Sequence, residues 1–333
     1  MTQEAIDADP VRWKELRRTG VTASEIASVM GLAPATQSSA WKVFAAKTTG
    51  AHFDADTDAT MRGTHLEPYV ADRFAADYAG LTITPGGLYS SDARPWQMAT
   101  FDRLARRGPS PEFPVQIKTS ATADEWGDPG TADIPVHYRA QCLYEMDVDD
   151  ADEILVPCLF IATWKVRVYK IERTSAVQSD IEYMREAAEE FLSRVQRDDP
   201  PPMDWTPATT AALKTLYAGE PGGEVAIPVK LARRYRDARI AKATADRRLG
   251  QAVNEILALA GNARVVTAGK RGRYRRDDTR VATRTRGPRR SYDTEMLRVR
   301  YPDAAAATER VTDVTTLRPA KWAKARTEGT DVA

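Results

Sequence analysis

The run Asp198-Asp199-Pro200-Pro201-Pro202 constrains this chain more than any other feature. Proline has a fixed φ and no backbone N–H, so three in succession continue neither a helix nor a central strand. The run reads as a stiff spacer. It divides the 333 residues into a main domain at 1–199 and a C-terminal module at 200–333. Both pieces fall in the ordinary size range of a domain.

Before the break, apolar residues follow helix and strand periods in turn. Thr22-Ala23-Ser24-Glu25 is a capping-box signature opening a short helix, which Gly31 closes. Leu66, Val70, Phe74 and Tyr78 recur four residues apart and predict an amphipathic helix over about 65–79, with Glu67 at its start. A strand region begins at 81–83 and Tyr89. Residues 96–101 read as a strand that stops at Asp102, and 113–118 as its partner, across the turn-forming RRGPSP. Residues 136–146 are helical, 154–161 and 166–171 form a hairpin, and 176–195 are a helix. This order predicts an α/β (α+β) fold, a mixed central β-sheet flanked by helices. After the break comes a long polar helix over 229–259 with a narrow apolar stripe, capped by Gly261.

Composition narrows the setting. The two cysteines, Cys142 and Cys158, exclude a disulfide framework and point to a reducing, cytoplasmic compartment. The histidines His52, His65 and His137 have no zinc-site spacing. No apolar run approaches the roughly 18 residues of a membrane span, so no membrane partner is expected. The acidic N-terminus has no apolar segment of a signal peptide.

Charge is almost balanced, 48 Lys and Arg against 47 Asp and Glu, but it is unevenly spread. Residues 264–290 hold eleven Lys and Arg and two Asp, a net +9, which leaves −8 for the rest of a +1 chain. Lys270, Arg271, Arg273, Arg275 and Arg276 form its densest part, interleaved with Gly272 and Tyr274. Such a segment is either a solvated loop or an arm for a polyanion such as DNA.

Four segments carry the candidate chemistry: Glu67, Asp102, Gln116 with Lys118, and Tyr138 with Gln141. A two-residue alternation puts Gln116 and Lys118 on one face of a strand. If the two strands pair, Asp102 joins them. Oxygen ligands suit Mg²⁺, which neutralises a scissile phosphate and acidifies a water. A lysine beside them orients or deprotonates that water. By itself this pattern is short and frequent by chance.

The succession WKELRRTGVTASEIASVMGL, RGTHLEPYVADRF, ATFDRL, VQIKTS and IPVHYRAQCLYEM resembles the phage YqaJ-type recombinase nucleases. That family includes lambda exonuclease and belongs to the PD-(D/E)XK superfamily. The resemblance covers about 10–175. It implies an Mg²⁺-dependent exonuclease, with Mn²⁺ as a substitute. Such an enzyme degrades linear double-stranded DNA from its 5′ ends and leaves 3′ overhangs for a single-strand annealing protein. A homo-oligomeric ring and action in the host cytoplasm are implied as well. Glu67, Asp102 and Gln116 match the metal ligands, with the Ile117 carbonyl as a backbone ligand, and Lys118 matches the catalytic lysine. Arg17, Ser24, Thr100 and Gln141 match positions that hold the 5′-phosphate or lie beside the reacting strand. The chain departs from the family at Gln116, usually an acid, and at Phe101, usually a proline. The neutral amide at 116 leaves a second reading, a DNA-binding scaffold on a weakened nuclease fold; a third is a structure-specific endonuclease, against which the 5′-phosphate residues favour an end-dependent enzyme. Of the aromatic residues Trp41, Phe44, Trp96 and Trp126, the last lies in a polar loop and is the best base-stacking candidate.

Overall fold

The computed structural model describes residues 1–53, 58–219, 222–267, 280–283 and 294–309. The chain divides into two units, Met1–Ala218 and Gly219–Ala333. In the first, α1 (Gln3–Ala8) and α2 (Pro10–Arg18) lead into β1 (Val21–Thr22), α3 (Ala23–Val29), α4 (Ala40–Thr49) and α5 (Asp58–Asp77). Then follow β2 (Leu81–Ser90), β3 (Gln97–Arg107), β4 (Glu112–Val115), β5 (Lys118–Ser120), α6 (Val136–Val148), β6 (Glu153–Phe160), β7 (Lys165–Glu172), α7 (Ser175–Arg197) and α8 (Pro207–Leu216).

Among the described residues, seven strands form one mixed sheet. β3 and β6 are its two long spines. β3 pairs antiparallel with β2 and β4, and parallel with β1. β6 pairs antiparallel with β7, and parallel with β4 and β5. β4 therefore bridges both spines, whereas β5 pairs with β6 alone. The chain leaves the β3 ladder after Arg103↔Val115, where the next pair would set Asp102 opposite Gln116. Helices cover the faces. α6 and α7 bury Leu143, Met146, Ile181, Ala188 and Phe191 in the main core, and α5 buries Val70, Ala71 and Phe74.

Three expectations change. Glu67 lies within a helix rather than at its start, because α5 begins at Asp58 and runs through Pro68. A proline removes one backbone bond, and here the apolar face of α5 outweighs that loss. Asp102 lies within a strand rather than at its end, because β2 pairs with β3 as far as Leu81↔Arg107. The proline run does not end the first unit, which extends to Ala218 rather than stopping at 199. The reason is α8, which docks back on α4. Ala212 packs with Trp41 and Ala45, and the Ser39 and Thr209 hydroxyls are 2.6 Å apart.

The second unit holds α9 (Val229–Ala260), β8 (Val265–Thr267), β9 (Arg280–Thr283), α10 (Thr294–Arg300) and α11 (Pro302–Thr308). β8 and β9 pair antiparallel. No residue of α9 is buried, so its apolar stripe is exposed along this unit. Lys270, Arg271, Arg273, Arg275 and Arg276 lie outside the described residues.

Candidate active site

The divergence of β4 and β5 from β3 creates the site. At 116–117 the backbone no longer has a β3 partner, and a side chain supplies one: Ile117 N–H donates to Asp102 Oδ2 at 2.7 Å. The carboxylate thus stands where a strand bond would have been. Glu67 reaches the same place from α5, held by Arg103, whose guanidinium donates to Glu67 Oε1 at 2.8 Å and to the Asp102 carbonyl at 2.6 Å. Lys118 opens β5. Its Nζ donates to Gln141 Oε1 at 3.1 Å and lies 5.0 Å from the centre of the Tyr138 ring. Glu67, Asp102, Gln116, Ile117, Lys118 and Tyr138 line one groove of about 760 Å³.

Electrostatics mark this groove as a place for a cation. Burial pushes the Asp102 carboxyl up to about 6; Lys118 and the Ile117 N–H pull it down, and Glu67 pushes it further up. A buried carboxylate with a second, half-buried one beside it favours a positive partner. The Gln116 side chain is buried, and its Oε1 has no hydrogen-bond partner. A buried acceptor left unpaired is costly and is normally occupied. Two carboxylates and this orphaned amide oxygen are hard donors of the kind Mg²⁺ prefers. Among the described residues no three His, Cys, Asp or Glu side chains cluster as a metal site. The third donor here is an amide. The donor set fits a divalent cation with one charge fewer than three acids would give. The cysteines are not nucleophiles, since burial pushes Cys158 up to about 12 and Cys142 well above the usual thiol range.

The other candidates divide. Arg17 and Ser24 meet each other: the Arg17 guanidinium donates to Ser24 Oγ at 2.7 Å and to Thr22 Oγ1 at 3.3 Å, and lies over Trp13. The capping box is present, with Thr22 N–H donating to Glu25 at 2.9 Å. Buried Lys47 pairs with Glu25 at 2.9 Å and donates to the Arg17 carbonyl at 3.0 Å, which fixes the end of α2. Neither Arg17 nor Ser24 lines the groove itself. They are tied to it through α6, where Tyr144 OH donates to the Val21 carbonyl at 3.3 Å. Thr100 sits on β3, with its hydroxyl buried and without a hydrogen-bond partner. Trp126 is a correction. It is 9% exposed and packs on Phe160 and Tyr169, with ring centroids 5.6 and 4.9 Å away, so it is core and not a stacking surface. Trp41 and Phe44 are buried as well.

Sequence reading missed Arg103 and Lys47. Arg103 lies inside the ATFDRL segment and Lys47 well away from any of the segments, and only the fold gives them partners across the chain.

The groove is an acidic cleft with a lysine at its wall, set at a break in a mixed sheet. Residues 12–152 match the family model of the YqaJ-like viral recombinase domain. Among solved structures, the alkaline exonuclease LHK-Exo from Laribacter hongkongensis shares 22% identity over 56% of this chain and 96% of that chain, with a TM-score of 0.42. Its complex with dAMP gives 23% over 56% and 93%, with a TM-score of 0.45. A phage-related exonuclease from Haemophilus somnus 129PT gives 12% over 54% and 96%, with a TM-score of 0.40. No curated protein matches the chain. Among the described residues no helix is long and apolar enough to cross a membrane.

Proposed function

We propose that this chain is a divalent-cation-dependent exonuclease that degrades linear duplex DNA from 5′ ends and leaves 3′ single strands for an annealing protein. The convergence of Glu67, Asp102, Gln116 and Lys118 on one groove supports this reading most directly. Glu67, Asp102 and Gln116, with the Ile117 carbonyl, would hold Mg²⁺ or Mn²⁺. Such a cation supplies charge neutralisation at a phosphate and acidification of water. Lys118, steadied by Gln141 and the Tyr138 face, presents its N–H groups to the phosphate and to the attacking water. Arg17 offers a charged donor to a terminal 5′-phosphate, with Ser24 and Thr22 beside it. Thr100, on β3, would lie beside the reacting strand. The basic stretch around Lys270, Arg271, Arg273, Arg275 and Arg276 supplies further contacts to the DNA backbone. The working assembly is a homo-oligomeric ring in the host cytoplasm.

The test is digestion of linear duplex carrying 5′-phosphate or 5′-hydroxyl ends, and of covalently closed circles, in Mg²⁺ and in EDTA. Cleavage confined to linear DNA, faster on phosphorylated ends and absent in EDTA, is expected. Cutting of closed circles would instead favour an endonuclease. Absence of cleavage in both Mg²⁺ and Mn²⁺ would favour a DNA-binding scaffold.

A further inference from the structure

Among the described residues two acids outside the groove are buried, Asp147, which pairs with Arg94 and Arg185, and Glu145, which has no such ion pair. Glu145, on α6 one turn beyond Gln141, is 0% exposed. Burial pushes its carboxyl up to about 8. A glutamate without an ion-pair partner, and with its Oε2 unpartnered, is a poor choice for a core, where an apolar residue would pack at no desolvation cost. Its surroundings explain it. Gln141 Nε2 donates to Glu145 Oε1 at 2.8 Å, while Gln141 Oε1 accepts from Lys118 Nζ at 3.1 Å.

The chemistry of these three groups fixes the order of the chain. A lysine ammonium only donates, so the amide must turn its oxygen to Lys118. That leaves the amide NH₂ pointing into the protein, where it needs an acceptor. Glu145 provides one whether its carboxyl is charged or neutral, because its carbonyl oxygen accepts in both states. An apolar residue there would strand the NH₂, and the amide would turn away from Lys118 to find a partner.

We infer that Glu145 is a positioning residue for the cleavage reaction, holding the Gln141 amide in the orientation that steadies Lys118. This rests on the nuclease reading above. Residue 145 needs an acceptor oxygen, not a charge, so glutamine serves there and leucine does not.

The experiment uses the full chain and linear duplex, with steady-state kinetics for Glu145→Leu, Glu145→Gln, Gln141→Ala and the Glu145→Leu/Gln141→Ala pair. Glu145→Leu is expected to lower kcat about tenfold, the size of one stranded buried donor, with KM for DNA unchanged. Glu145→Gln should stay within about twofold of the parent, since the acceptor is kept. In the Gln141→Ala background, Glu145→Leu should cost nothing further. An equal loss in both backgrounds, or no loss on Glu145→Leu, overturns the assignment. Should Glu145→Leu lose its thermal transition, Glu145→Met carries the same test. A readout independent of cleavage keeps the two readings apart: the ¹⁵N side-chain resonance of Gln141 should move in Glu145→Leu and move less in Glu145→Gln. A resonance unmoved by either variant sinks the inference even if the parent cleaves. A parent that does not cleave, with the resonance moved by Glu145→Leu, sinks only the nuclease reading.

Discussion

Gln116 is where this chain differs most from what its neighbours ask for. Glu67 and Asp102 bring two negative charges to the groove, and the third donor is neutral. Replacing it by an acid should add attraction for a cation at little steric cost. Gln116→Glu is therefore expected to tighten Mg²⁺ or Mn²⁺ binding by about tenfold, measured by calorimetric titration, and to keep or raise cleavage. Lys118→Ala should lower kcat by about 10²-fold or more while DNA affinity stays near the parent value; filter binding and cleavage measured side by side separate the two. Glu145 adds a pH dependence to stability. Its ordinary value is 4.5, and burial raises it to about 8 in the folded chain. Between these values the folded form keeps a proton that the unfolded chain has lost, so this group makes stability fall as pH rises. Its effect is absent below about 4.5 and complete above about 8. Glu145→Gln removes the dependence, and the Tm difference between variant and parent should shift in favour of the variant from pH 5 to pH 8.5.

At the scale of elements, the site depends on how closely chains approach one another. β1 lies beside the start of β3, and a Cβ built on Gly20 would fall 2.0 Å from the Trp96 carbonyl oxygen. Backbone cannot yield there as a flexible side chain could. Gly20→Ala should destabilise the first unit by about 1–3 kcal/mol, read from urea unfolding, and should shift Thr22 and Ser24 on the adjoining α3. The break between β4 and β5 works in the opposite sense. Two residues are withdrawn from the β3 ladder, and the space freed is filled by the Asp102 carboxylate.

For the molecule as a whole, the boundary between units matters more than the proline run. α8 buries Ala208, Thr209 and Ala212 against the first unit. A chain ending at Ala218 should keep the Tm of the first unit. One ending at Asp199 should lose several degrees, because Trp41 and Ala45 lose their cover. The basic stretch belongs to this scale too. Deleting 264–290 should lower DNA affinity and flatten its dependence on salt, since each phosphate contact removed lowers the slope by about one unit. An unchanged slope would assign the stretch to a protein partner.

The fold class was legible along the chain because burial on one face imposes a period, as on α7, where Val177, Ile181, Met184, Ala188 and Phe191 are buried at helical spacing. Glu67, Asp102, Gln116 and Lys118 could be named for the same kind of reason, as residue types and spacing that resemble a family. Tertiary structure decided the rest. Neither the length of β3 nor the docking of α8 is written locally, since one depends on β2 alongside and the other on Trp41 more than 160 residues away. Trp126 looked exposed because its loop is polar, yet the rings that bury it come from α6, β6 and β7. Arg103 and Glu145 gain meaning only through partners on other elements or beyond the groove. A sequence states periods and residue chemistry, which are local. Which unpaired donor meets which acceptor is set by strands that diverge in space, and only the folded chain fixes that.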